Sequence, residues 1–205
     1  MNLFDDTYKT IDEAAEGTFR NKGSKFFAYA YPFPDEKELK NVLTSLRKEH
    51  AKARHWCYAY RLGTDRTAFR VNDDGEPSGS AGRPILNTLL SHDLTNILVV
   101  VVRYFGGTLL GIPGLINAYK SATQDALNHA EIIEKTLMDV YELTFDYNQE
   151  SVVTALIKEE GLTILKQAYT DHCQLEVGIR KAKVTAVVDK IQQTAHASLR
   201  YLGMR

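Results

Sequence analysis

Hydrophobic and polar positions change period several times along the chain, and each change predicts an element. Between residues 17 and 33, apolar and aromatic residues flank the turn-like cluster Asn21-Lys22-Gly23-Ser24, which predicts one or two strands ended by Pro32 and Pro34. Asp35 with Glu38 three residues later forms a helix-start pattern. Leu39, Val42, Leu43 and Leu46 then repeat at i, i+3, i+4, i+7, so an amphipathic helix runs to about His50. His55–Leu62 and Arg66–Val71 read as strands. Residues 72–84, Asn-Asp-Asp-Gly-Glu-Pro-Ser-Gly-Ser-Ala-Gly-Arg-Pro, carry too many turn formers for a regular element. A short helix at 85–90 follows. The β-branched run Ile97–Val102 predicts a strand buried on both faces, and a helix over 113–130 has Pro113 in its first turn.

A second pattern starts near residue 137. Strand 137–147, helix 149–160, strands 162–169 and 173–179, helix 184–195 and a short strand at 198–202 give the order β-α-β-β-α-β, the ferredoxin-like arrangement. The chain of 205 residues therefore reads as two α+β domains, residues 1–135 and 136–205.

Composition adds little until it is read locally. A formal net charge of -1 predicts no partner. Residues 1–19, however, hold one lysine against five acids, and residues 20–70 hold twelve lysines or arginines against five acids. That basic stretch is either a solvated face or a patch for a polyanion. Cys57 and Cys173 stand far apart outside any C-x-x-C spacing, which suits reduced thiols in a cytoplasmic protein. The N-terminus has no apolar signal core, and the run at 97–102 is far short of a bilayer span. No membrane role, cofactor or metal is expected.

Three segments carry candidate chemistry. The 72–84 loop concentrates Asp73, Asp74, Glu76, Ser78 and Ser80 among glycines that would admit a ligand to the backbone; as a bland alternative, its acids cap the loop's own amides. It fails the G-x-S-x-G hydrolase pattern and the calcium-loop spacing. The turn after the buried strand has Gly106 and Gly111 at P-loop spacing, but Ile112 and Pro113 replace the lysine and hydroxyl residue, which excludes an NTPase of that kind. Its amides, including those of Gly106 and Gly107, with Arg103 and Lys120 nearby, could still attract an anion. In Arg54–Arg61, alternation puts His55, Cys57 and Ala59 on one face and Trp56, Tyr58 and Tyr60 on the other. The aromatic face is either a base-stacking platform flanked by Arg54 and Arg61 or a surface packed on a helix. His55 with Cys57 lacks the further ligands of a zinc site.

These same residues carry a family resemblance. Asp73–Pro84, His55–Arg61 and Val102–Gly111 resemble the motifs of the YigZ/IMPACT family over about residues 15–130, and residues 137–205 resemble, more loosely, the C-terminal domain of its bacterial members. The resemblance implies an N-terminal βαβ-rich fold shared with a ribosomal small-subunit protein and with the fourth domain of elongation factor G, and a C-terminal domain like that factor's ferredoxin-like fifth domain. The eukaryotic relatives regulate translation through an extra N-terminal interaction domain, for which there is no room before residue 15. A peptidase label attached to bacterial members finds no support in these residues. Asn117 stands where many relatives have a basic residue, and Lys120, one turn on, is its expected replacement.

The reading is a translation-associated regulatory protein that binds RNA or the ribosome, or a translation-regulating protein, and is not primarily an enzyme. His55, Asp73, Asp74, Glu76, Ser78, Arg103, Gly106, Gly107 and Lys120 are its candidate binding residues. The alternatives are an enzyme on a small phosphorylated or nucleotide substrate, with Asp74 or Glu76 as general base, and a protein-interaction module without nucleic acid.

Overall fold

The computed structural model describes residues 6–194 and 197–204. The chain divides into two compact units. The first spans Tyr8–Lys135, and the second holds the chain from Thr136 onward together with Asp6 and Thr7.

The first unit is built on a five-stranded sheet. Its strands are β2 (Ala15–Asn21), β3 (Ser24–Pro32), β4 (His55–Leu62), β5 (Ala68–Asn72) and β6 (Ile97–Tyr104), in the order β2-β3-β6-β4-β5. Each neighbouring pair is antiparallel. β6 lies at the centre and is buried on both faces, as its unbroken β-branched run requires. Its odd positions Ile97, Val99 and Val101 pack with Phe26, Cys57 and Ala59 beneath helices α2 (Gly82–Ser91) and α3 (Gly111–His129). Its even positions Leu98, Val100 and Val102 pack with Tyr58, Tyr60, Leu39 and Leu46 beneath α1 (Leu39–Glu49). Asp35 accepts the Lys37 amide and starts a 3-10 turn that leads into α1.

Two features depart from the expectations. α2 begins at Gly82 and so takes three residues that had read as loop; Pro84 falls in the first turn, where its missing N–H costs nothing. Strands β1 (Thr7–Ile11) and β7 (Ile132–Thr136) pair as a separate two-stranded sheet that the sequence did not announce. Both are short and mostly exposed or half-buried, so neither shows the alternation of a strand with one buried face.

The second unit runs β8 (Met138–Phe145), α4 (Glu150–Glu160), β9 (Thr163–Tyr169), β10 (Cys173–Arg180), α5 (Val184–Thr194) and β11 (Ser198–Met204). Its sheet has the order β11-β8-β10-β9 and every described pair is antiparallel. The chain thus interleaves two βαβ halves. Gly161, left-handed at φ 65°, caps α4 and closes it before β9. Leu143, Val177, Ile179, Leu156, Val187 and Ile191 form an apolar core between the sheet and the two helices. The expected end of the last helix at Ala195 lies outside the described residues. No described helix is long and apolar enough to cross a membrane.

Candidate functional site

The polar residues of the first unit converge where β6 ends. Strand pairing sets His55 of β4 opposite Arg103 of β6, and Arg103 opposite Phe26 of β3. Arg103 continues the odd series of β6, so its side chain enters the layer under α2 and α3 and is buried. Its Nη1 donates to Glu76 Oε1 at 2.6 Å. The Tyr119 hydroxyl, from α3, donates to the same oxygen at 2.8 Å. His55 Nε2 stands 4.0 Å from it. The Arg103 guanidinium lies over the rings of Phe26 and Phe105, at 5.5 and 5.6 Å, and its Nε finds no partner among the described residues. Taking an ion pair out of water is costly, and a short charge-assisted bond with added donors offsets that cost. The pair therefore fixes the loop that carries Glu76 onto the sheet.

The other acids of the loop serve its own backbone. The Asp73 carboxylate accepts the amides of Gly79, Ala81 and Gly82, at 2.9, 3.0 and 2.8 Å. Asp74 Oδ2 accepts the Trp56 amide at 2.7 Å, and its Oδ1 lies 3.6 Å from Arg47. His55 Nδ1 donates to the Asp74 carbonyl at 2.8 Å, which leaves Nε2 facing Glu76. Gly75 and Gly79 have φ of +86° and +75°, a left-handed backbone that a side chain would strain. This loop is thus a self-capped turn anchored at three points, with Gly75 and its tip, Pro77-Ser78-Gly79, exposed.

Several sequence expectations need correction. Tyr58 and Tyr60 are buried under α1, and Trp56 is half-buried, so the aromatic face is a packing surface and not a stacking platform. Arg61, expected to flank it, is buried and donates to the carbonyls of Arg66 and Leu94 and to Asp93. The Gly106 amide, expected to face an anion, donates to Ser24 Oγ at 3.1 Å. A Cβ at Gly106 would stand 1.9 Å from the Gly23 carbonyl carbon, so glycine is required there for the hairpin tip to dock. Gly107 remains exposed at φ +86°. Lys120 does not join Glu76 and Arg103. Tyr119 occupies that side of α3, and successive helical residues point about 100° apart, so Lys120 faces a surface groove between α2 and α3.

Tyr119 is the member of the cluster that sequence reasoning missed, and Cys57 was weighed only as a metal ligand. Tyr119 stands in the apolar stripe Leu115, Ala118, Tyr119, Ala122, Ala126, and a phenol in such a stripe must find a partner. Cys57 Sγ lies 3.2 Å from its hydroxyl and 3.0 Å from the Asp73 carbonyl. Burial pushes both the thiol and the phenol far above their ordinary pKa, against a smaller lowering at Cys57 from the Tyr119 hydrogen bond. Both therefore stay protonated at neutral pH. Among the described residues no group of three or more His, Cys, Asp or Glu side chains could hold a metal ion.

Around this buried cluster the surface is basic. The β2–β3 hairpin, through Gly23 and Ser24, sits against Gly106, which brings exposed Lys22 and Lys25 to the end of β6. Exposed Arg54 is tied to the same end by its amide, which donates to the Arg103 carbonyl at 3.1 Å. Phe105, which follows β6, is 49% exposed.

A mixed α+β protein of two units, with a self-capped acidic loop locked to the end of a central strand by a buried Glu–Arg pair, defines the class. The Impact N-terminal domain model matches residues 22–127, and a domain of unknown function, DUF1949, matches residues 143–197. The chain is 32% identical to IMPACT family member YvyE of Bacillus subtilis (strain 168), over 88% of this chain and 83% of that one. It is 34% identical to IMPACT family member YigZ of Escherichia coli (strain K12), over 89% and 91%. A solved structure, the crystal structure of a hypothetical protein, superposes with a TM-score of 0.68 at 31% identity and covers 97% of each chain. The chain belongs to the IMPACT family.

Proposed function

We propose that this protein is a binding module that engages RNA on or near the ribosome and so regulates translation in the cytoplasm. The observation that supports this reading is the exposed set Lys22, Lys25 and Arg54, which the docked hairpin and the β4–β6 ladder bring to the end of β6, where Phe105 and Gly107 are also exposed. Cations spaced around an exposed ring and an open glycine backbone suit a phosphodiester chain with one unstacked base. The buried pair Glu76–Arg103 holds this surface in shape without touching the ligand. The interleaved order of the second unit is compatible with the implied likeness to the fifth domain of elongation factor G, whose counterpart works on ribosomal RNA. A catalytic reading is disfavoured because Glu76 is engaged by two donors and Cys57 and Tyr119 remain protonated.

Titration of the purified protein with a labelled single-stranded RNA at several salt concentrations tests this. Log affinity should fall with log salt at about −0.7 per phosphate contact. Replacing Lys22 and Lys25 together by Gln should make the slope shallower by roughly 1.4. Absence of binding at low salt, or a slope indifferent to the double substitution, would overturn the proposal.

A further inference from the structure

Lys120, left out of the buried cluster, lines a groove between α2 and α3 with Arg83, Pro84, Asn87, Ser91 and Ile116. The groove encloses about 380 Å³, within the ~300–1,000 Å³ typical of small-molecule sites. Arg83 and Lys120 are both exposed, and neither pairs with a carboxylate among the described residues. Two cations that share one groove without a counter-ion repel each other, and an anion held by both removes that penalty. The positive end of α2 does not supply the attraction, since Asp73 already accepts the amides of Ala81 and Gly82. The side chains must therefore hold the charge.

The remaining lining is not that of a bare phosphate site. Ser91 Oγ donates its proton to the Thr88 carbonyl at 2.8 Å and so turns its lone pairs outward. The exposed Asn87 amide offers both a donor and an acceptor. Ile116, 40% exposed, gives apolar surface to a flat ring above the buried Pro84. We infer that this groove is a binding site for a free mononucleotide, its phosphate between Arg83 and Lys120 and its sugar hydroxyls on Asn87 and Ser91.

The site is separate from the proposed RNA surface and does not depend on it. Adenosine 5′-monophosphate titrated into isotope-labelled full-length protein should shift the backbone resonances of Asn87, Ser91 and Lys120. Inorganic phosphate should move the same resonances at higher concentration, and adenosine should move them least. The double substitution Arg83→Gln, Lys120→Gln should weaken the nucleotide at least tenfold, since each lost charge-assisted bond accounts for about that factor. The rest of the spectrum should stay unchanged, because both side chains are exposed. Three results would overturn the site: no shifts with the monophosphate, shifts equal for adenosine, or shifts that survive the double substitution. The Lys22, Lys25 double substitution should leave nucleotide binding intact, and the groove substitution should leave the RNA salt slope intact. A shallower RNA slope in the groove variant would make the groove part of the polyanion surface and would also defeat the proposal.

Discussion

Buried polar residues separate the two units. All those described, from Thr10 to Thr123, lie in the first, and they include the fully engaged Glu76–Arg103 pair and the Asp73 cap over the loop. The second unit has an apolar core, and its described ion pairs, such as Arg200–Glu142 and Lys190–Glu159, have an exposed or half-buried member. An apolar core specifies a fold through shape and tolerates exchange. A buried polar network is less forgiving, since every member must find its partner. The first unit therefore holds one particular loop geometry next to an exposed basic surface, and the second is a packed module whose surface pairs carry little of its stability.

The comparison breaks most sharply at Glu76. Glu76→Ala strands Arg103 without its counter-charge in a buried site and removes the acceptor of Tyr119. Loss of one partner of a buried pair costs about 3–5 kcal/mol. Urea unfolding followed by the fluorescence of Trp56, the chain's only tryptophan, reports the first unit alone. A loss below about 1 kcal/mol, the level of a surface pair, would mean that the pair does not anchor the loop. Next in size is Asp73→Ala, which leaves three amides of the loop and of the start of α2 without their acceptor. An uncompensated buried donor costs about 1–3 kcal/mol, and amide exchange at Gly79, Ala81 and Gly82 should rise with it.

How much of this was legible in the sequence follows from what each signal reports. The strand His55–Leu62 was placed to the residue, because alternation reports a sheet with two different faces. The run Ile97–Val102 identified the central strand for the opposite reason, since an unbroken apolar stretch reports burial on both faces. Alternation cannot say whether an aromatic face meets solvent or a helix, and so Tyr58 and Tyr60 stayed open until α1 was seen over them. Glu76 and Arg103 were both read as candidate binding residues, but not as a buried pair, since their separation of 27 positions is closed only by strand pairing. Lys120 was placed with the turn after β6 because it follows that turn closely on α3, but the helical face turned to Glu76 belongs to its neighbour Tyr119. The strands β1 and β7 were missed because their pairing is distant and neither short segment alternates.

Alkali should sharpen the contrast by a smaller amount. Burial pushes the phenols of Tyr29 and Tyr60 up to about 12 from 10.0, with nearby carboxylates (Glu49 and Glu36) adding to it. The unfolded chain ionises first, near 10, so stability from these groups is complete below about pH 10 and is lost as pH rises toward 12. The unfolding midpoint read by Trp56 should be flat through pH 9 and fall above 10. Tyr29→Phe removes one such group, along with its 2.7 Å bond to His50, and should make the fall shallower. A midpoint already falling at pH 8 would assign the loss to other groups.

The smallest effect is expected in the second unit. Arg200 of β11 makes two bonds to Glu142 of β8, at 3.1 and 3.0 Å, across a directly paired register position. The geometry is bidentate, which favours the pair. Arg200 is nonetheless 70% exposed at its side chain, so water competes for both ends and salt screens what remains. Arg200→Ala should cost no more than about 1 kcal/mol, and less at high salt. Trp56 is blind to this unit, so amide exchange at Leu143 and Tyr141 of β8 is the measurement to make. Exchange there should rise modestly at low salt and converge with the parent protein at high salt. A loss as large as that of Glu76→Ala, unmoved by salt, would mean that the second unit also depends on a fixed polar contact, and the contrast between the two units would fail.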